Sequence, residues 1–205
     1  MRQDEEQRKA FFARCAEEWD RELPPEKAAR LGALCAEFSV PAGGRVLDIG
    51  CGTGILVPFL RKAAGEAGMI FELDPNEAMI ARARRKDGGR MIPLLAQAER
   101  IPLPEDYADS LVAYACFPHF EDRQQAVREF FRVLKPGAFA HVAHLASSEE
   151  IDMHHASCMV VMHDRMPTDA EMAEMFRACG FVDVTLQNET GRYLLKARKP
   201  LPGEN

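Results

Sequence analysis

The sequence predicts an α/β fold: a doubly wound, Rossmann-like sheet of seven strands, mostly parallel, with helices on both faces and an antiparallel final hairpin. Three observations lead there. From residue 45 to residue 180, apolar runs rich in β-branched residues alternate with amphipathic helical stretches. The 205 residues suffice for one substantial core and fall short of two. The last two strand-like runs, 182–188 and 192–198, are separated by only a few residues. They must pair antiparallel, because a parallel crossover needs ~10 residues or more.

Taken in order, residues from about Asp4 to Phe38 read as helical, with Phe11, Phe12, Cys15 and Trp19 on one side and an interruption at Pro24-Pro25. Val40-Pro-Ala-Gly-Gly44 is a turn into the first strand, Arg45 to Ile49, an apolar run typical of a strand buried on both faces. A helix follows Thr53, a strand covers about 68–74, and a helix runs from Pro75 to about Lys86. Strands are expected at about 90–95 and 109–115, with a helix over 121–134 that stops at Lys135-Pro136-Gly137. A strand at 138–145, a helix at about 168–179 ended by Gly180, and the hairpin complete the chain.

Composition narrows the function. A net charge of −6 argues against a nucleic-acid partner, which needs a basic face. The run Arg82, Arg84, Arg85 and Lys86 reads as the solvated side of a helix. No stretch approaches the ~20 apolar residues of a membrane span, and Met1 to Lys9 is too polar for a secretory signal. Six scattered cysteines without a CxxC pair are expected to be reduced thiols in a cytoplasmic protein.

Chemistry concentrates first at Val46-Leu-Asp-Ile-Gly-Cys-Gly-Thr-Gly54. A buried strand delivers the chain into a turn whose glycines, 50, 52 and 54, let the backbone bend sharply and approach a ligand closely. A dinucleotide site would carry G-x-G-x-x-G to seat a pyrophosphate. Here the spacing is G-x-G-x-G, and Asp48 precedes it, where negative charge suits a cationic ligand better. Its carboxylate is expected to orient the turn or the ammonium of a bound amino acid.

This string resembles motif I of the class I S-adenosylmethionine-dependent methyltransferases, in particular the small-molecule, type 11-like members. The resemblance continues through most of the chain. Phe71-Glu-Leu-Asp-Pro-Asn-Glu-Ala-Met79 is similar to the family's second-strand end, where an acid binds the ribose hydroxyls. Asp74 takes that role, with Glu72 as the fallback and a helix N-cap as the alternative use of Asp74. Ala96-Gln-Ala-Glu-Arg-Ile-Pro-Leu-Pro104 resembles the segment that packs along the adenine, but departs from it. Gln97 stands where an aspartate is usual, and its carbonyl can accept the same hydrogen bond with less charge assistance. Glu129-Phe-Phe-Arg-Val-Leu-Lys-Pro-Gly137 resembles a structural helix end of the family. Phe11-Phe-x-x-x-Ala-x-x-Trp-Asp20 resembles the helix that covers the cofactor. The resemblance thus implies S-adenosyl-L-methionine held by Asp48, Gly50, Cys51, Gly52, Thr53, Gly54, Asp74, Pro75, Gln97, Ala98 and Cys116. It divides the chain into a helical lid (1–40), a methyltransferase domain (41–200) with a substrate-side segment (146–167), and a tail (201–205).

Methyl transfer asks the site to align a nucleophile and exclude water, and a general base is needed only if the acceptor keeps its proton. His119, in the loop Cys116-Phe-Pro-His-Phe120 after the fourth strand, is the candidate base, with capping or packing as its alternative role. Five of six histidines fall between 141 and 163. His141 and His144, three apart on a strand, must point to opposite faces. His144, His154, His155 and His163 are candidate substrate contacts beside Met153, Met159, Met162 and Met166. A mixed metal site from His155, Cys158 and His163, or with His154 in place of His155, is the alternative, although the spacing matches no standard zinc signature. The expected function is methyl transfer to a small-molecule acceptor. The alternatives are a nicotinamide-dependent oxidoreductase and a non-catalytic S-adenosylmethionine-binding protein of the same fold.

Overall fold

The computed structural model describes residues 8, 10–16 and 23–204. Trp19, Asp20 and all of the stretch before Arg8 lie outside them. A helix that includes residues 10–16 (α1) precedes α2 (Pro25–Cys35), β1 (Arg45–Ile49), α3 (Val57–Ala64), β2 (Met69–Asp74) and α4 (Glu77–Lys86). Then come β3 (Ile92–Leu95), β4 (Ala108–Tyr114), a 3-10 turn (Phe117–His119), α5 (Arg123–Val133) and β5 (Leu134–His144). The remainder is α6 (Ser148–Ala156), α7 (Asp169–Ala178), β6 (Val182–Glu189) and β7 (Arg192–Arg198).

The seven strands form one sheet in the order β3-β2-β1-β4-β5-β7-β6. The first five are parallel, and β7 inserts antiparallel between β5 and β6. The order reverses between β1 and β4, so their carboxyl ends splay helices to opposite faces and open a crevice. Strand alternation feeds two apolar layers. Leu47, Ile49, Leu111 and Ala113 pack with Phe130 of α5 and Phe176 of α7. Val46, Ile70 and Val112 pack on the other face with Leu31, Leu34 and Leu60 of α2 and α3. Pro93 is tolerated inside β3 because that strand is an edge, where a missing N–H breaks no ladder.

Two elements differ from the sequence expectation. Strand β5 starts at Leu134 rather than 138, running straight through Lys135-Pro136-Gly137. Leu134 pairs with Ala108, the register then shifts, and the Gly137 N–H donates to the Lys199 carbonyl, so a bulge absorbs the proline and glycine. Helix α6 was not expected as an element. Its start carries a capping box: the Ser147 hydroxyl accepts from the Glu150 N–H while the Glu150 carboxylate accepts from the Ser147 N–H. No helix among the described residues is long and apolar enough to cross a membrane.

Candidate functional site

The crevice at the ends of β1, β2 and β4 is lined by Ile49, Gly50, Gly52, Leu73, Asp74 and Pro75, among others. Its floor is the glycine turn. Gly50 has φ +62°, and a Cβ there would lie 2.5 Å from the Cys116 Cβ, so only glycine lets the β1 turn approach the loop after β4 so closely. The Cys116 thiol in turn donates to the Ile49 carbonyl at 3.1 Å. The Cys51 N–H donates to the Leu73 carbonyl, stitching the turn to β2. Asp74, at the end of β2, accepts the Gly52 N–H on one oxygen (3.0 Å) and the Asn76 N–H on the other (2.8 Å). Asn76, not Asp74, caps α4, its side chain accepting from Ala78. Asp74 is therefore not the helix cap. Burial pushes its carboxyl up to about 6, against the two N–H bonds that pull it down. Each oxygen still has lone-pair capacity toward the crevice.

Gln97, Ala98 and Glu99 form the opposite wall. That segment is clasped by α5. The Glu129 carboxylate accepts the Ile101 N–H at 2.7 Å, and the Arg132 guanidinium donates to the Ile101 and Leu103 carbonyls, both at 2.8 Å. Glu99 reaches across to accept the Glu121 and Asp122 N–H groups.

At the mouth stand Arg8, Phe12, His119, Phe120 and Glu121. His119 Nδ1 lies 2.7 Å from an Asp164 oxygen. A carboxylate can only accept, so Nδ1 carries the proton and Nε2 keeps its lone pair. Asp164 also accepts two bonds from Arg8, at 3.0 and 2.9 Å, and Arg8 donates to the His119 carbonyl at 3.3 Å. The Asp164 backbone carbonyl holds His155 Nδ1. The His119 ring packs against His155 (centroids 4.9 Å apart) and edge-on to Phe12 (5.2 Å). Burial lowers the His119 pKa, with Asp164 opposing and the His155 and Arg8 charges adding to the fall. Asp164, 45 residues further along the chain, is a partner of His119 that sequence reasoning missed. It sits in no motif.

Residues 47–142 match the family model described as a methyltransferase domain. Those residues carry a methyltransferase domain. A curated relative, the ubiquinone/menaquinone biosynthesis C-methyltransferase UbiE of Burkholderia mallei, is 39% identical over 105 residues. That match covers 50% of this chain and 43% of the relative, so the chain spans less than half the length of that protein. Two solved structures share the fold. One is a SAM-dependent methyltransferase of Thermotoga maritima, described as a possible histamine N-methyltransferase (TM-score 0.73, 21% identity, 94% of this chain and 99% of that one). The other is a SAM-dependent methyltransferase from Aquifex aeolicus (TM-score 0.65, 23% identity, 86% and 98%).

Of the residues expected to hold the cofactor, the methyltransferase domain brings Gly50, Gly52, Asp74, Pro75, Gln97, Ala98 and Cys116 to the crevice wall. Asp48, Cys51, Thr53 and Gly54 lie elsewhere. Asp48 is 1% exposed, with one oxygen lacking any hydrogen-bond partner, and it neighbours Glu72 in register rather than the crevice. Of the two roles expected of Asp48, its buried place beneath the turn fits orienting the turn, while it is not on the crevice wall where a direct contact with a ligand ammonium would be made. Glu72 does not line the crevice either, which removes it as the ribose fallback. Thr53 accepts from Lys86, and a Cβ at Gly54 would meet Ala83 at 2.9 Å, so these residues seat the turn against α4.

The histidines divide. His141 faces Phe38, accepting from the Ser39 N–H and bonded to the Leu111 carbonyl, which fixes it as a neutral packing residue. His144 points to the other face, as alternation requires, and lies buried behind His119 and His155. Burial drives its pKa to about 3. His154 and His163 are exposed, and neither they nor His144 and His155 line the crevice. The expectation of direct substrate contact by these four finds no support in the crevice wall. The metal alternative fails on geometry: among the described residues no three His, Cys, Asp or Glu side chains converge on a metal-sized position.

The crevice suits an adenosyl group chemically. It offers apolar flats from Leu73, Pro75, Met79 and Ala98, and a carboxylate with spare acceptor capacity beside them. Gly52 has open space where a Cβ would stand, so the backbone presents no obstacle. The charge balance rejects a pyrophosphate. Asp74, Glu99 and Glu121 line the wall, and the guanidinium of Arg8 is already engaged by Asp164.

Proposed function

We propose that the protein is a methyltransferase that uses S-adenosyl-L-methionine and passes its methyl group, by in-line displacement, to a small-molecule acceptor. The observation that carries this reading is Asp74. A nine-tenths-buried carboxylate, pinned by two backbone N–H groups at the end of β2, faces a crevice whose wall is otherwise mostly apolar. Two vicinal hydroxyls are a fitting partner for its free lone pairs. The bound sulfonium supplies an already activated methyl carbon, so the chain has only to position the acceptor and exclude water. Gly50, Gly52, Pro75, Ala98 and Cys116 form the cofactor wall in this reading, and Gln97 accepts from the adenine amino group. Residues 1–40 act as a lid and 146–167 as the acceptor side, with His119 between them. Six scattered cysteines without a CxxC pair support a reducing, cytoplasmic setting.

A thermal-shift comparison tests the reading. S-adenosylhomocysteine at about 100 times its Kd adds roughly 2.7 kcal/mol to stability and raises Tm, while NAD leaves Tm unchanged. Stabilisation by NAD alone would replace the reading with the oxidoreductase.

A further inference from the structure

We propose that Asp164 is a positioning residue that fixes His119 as the proton acceptor of the reaction, and that Arg8 straps the pair across the mouth of the crevice. The inference rests on the methyl-transfer reading but on separate observations. His119 stands on the loop after β4 and Asp164 on the segment after α6, so the hydrogen bond joins the cofactor side to the acceptor side of the proposed site. The bond from Nδ1 to a carboxylate leaves Nε2 as a base, with the ring held from three sides. His155 stacks on one face, Phe12 meets its edge, and Arg8 binds both the carboxylate and the His119 carbonyl.

A histidine that only packed would need no ionic orienting partner. His144, equally surrounded and with Nε2 unpartnered, has none. Among the described residues, the charged and titratable groups that face His119 are the Asp164 carboxylate, the Arg8 guanidinium and the His155 and His144 rings. Asp164 is their one anion. It must offset burial and the neighbouring positive charge if the ring is to take up a proton. With a ring that is neutral at pH 7, the base is in its accepting form when the acceptor arrives.

The chemistry fits an acceptor whose nucleophile still bears a proton, such as a phenolic or enolic hydroxyl, a thiol or a carbon acid. Its electron pair forms the new bond to the methyl carbon. The carbon–sulfur pair stays on sulfur as the thioether, and the acceptor's proton passes to His119 Nε2. Asp164 then stabilises the imidazolium without itself taking the proton.

The test is nitrogen-15 NMR of histidine-labelled full-length protein, with the His119 signals assigned by their loss in His119→Gln. The wild-type ring is expected to be protonated at Nδ1 with Nε2 bare. Asp164→Asn is expected to shift the neutral ring toward the Nε2–H tautomer and lower its titration midpoint, whereas Asp164→Glu keeps the wild-type tautomer. Calorimetric binding of S-adenosylhomocysteine by wild type separates this inference from the cofactor reading, since saturable binding together with an Nε2–H tautomer would overturn the inference alone. An Nε2–H tautomer in the wild type would overturn the proposal without any variant. So would a tautomer and midpoint unchanged in folded Asp164→Asn.

Discussion

Asp48 and Glu72 sit side by side on β1 and β2, 1% and 0% exposed, with three of their four oxygens lacking a hydrogen-bond partner. Two carboxylates so placed cannot both ionise cheaply. Burial pushes Glu72 up to about 8, with Asp87 and Asp74 adding to the rise and Arg61 opposing it, and Asp48 is raised as well. A folded pKa above the unfolded 4.5 contributes stability that is complete below 4.5 and is lost as pH rises through 8. Glu72→Gln keeps the shape and removes the titration. Its Tm should match wild type near pH 4.5 and exceed it by a margin that grows up to pH 8. A margin independent of pH would show that Glu72 is ionised throughout.

Much of the fold was legible from the elements, because each carried its own signal. The β-then-α alternation gave the parallel sheet, and the two-residue Thr190-Gly191 connection forced β6 and β7 to be antiparallel. Part of the crevice wall was legible because the glycine turn and the end of β2 supply Gly50, Gly52, Asp74 and Pro75. Helix α6 was overlooked although Ser147 and Glu150 spell its start, since its exposed and buried residues follow no clear apolar stripe. The start of β5 was hidden by a Pro-Gly pair that ordinarily ends an element, and the His119–Asp164 contact by a separation that no local pattern spans. Glu129 and Arg132, in the stretch that resembles a structural helix end, hold the segment that forms one crevice wall. Arg132→Ala frees the Ile101 and Leu103 carbonyls. It should lower stability by about 1–3 kcal/mol in chemical denaturation and weaken S-adenosylhomocysteine binding as the wall loosens. Unchanged stability and affinity together would show the clasp to be idle.

At the scale of the molecule, the sheet's carboxyl edge joins regions far apart in sequence. Arg8 reaches Asp164, Arg82 donates to the Ala16 carbonyl, and Arg192 pairs with Glu37. The first two tie Arg8 to the segment after α6 and Ala16 to α4. The central claim is that this crevice holds an adenosyl cofactor through Asp74. Calorimetric titration of S-adenosylhomocysteine into wild type and Asp74→Ala at pH 7.5 tests it most directly. The account predicts saturable one-to-one binding by wild type and a loss of about 1–3 kcal/mol in the variant, the usual cost of removing a charged hydrogen-bond partner. Equal affinity in the two proteins, or no binding by wild type, would contradict it.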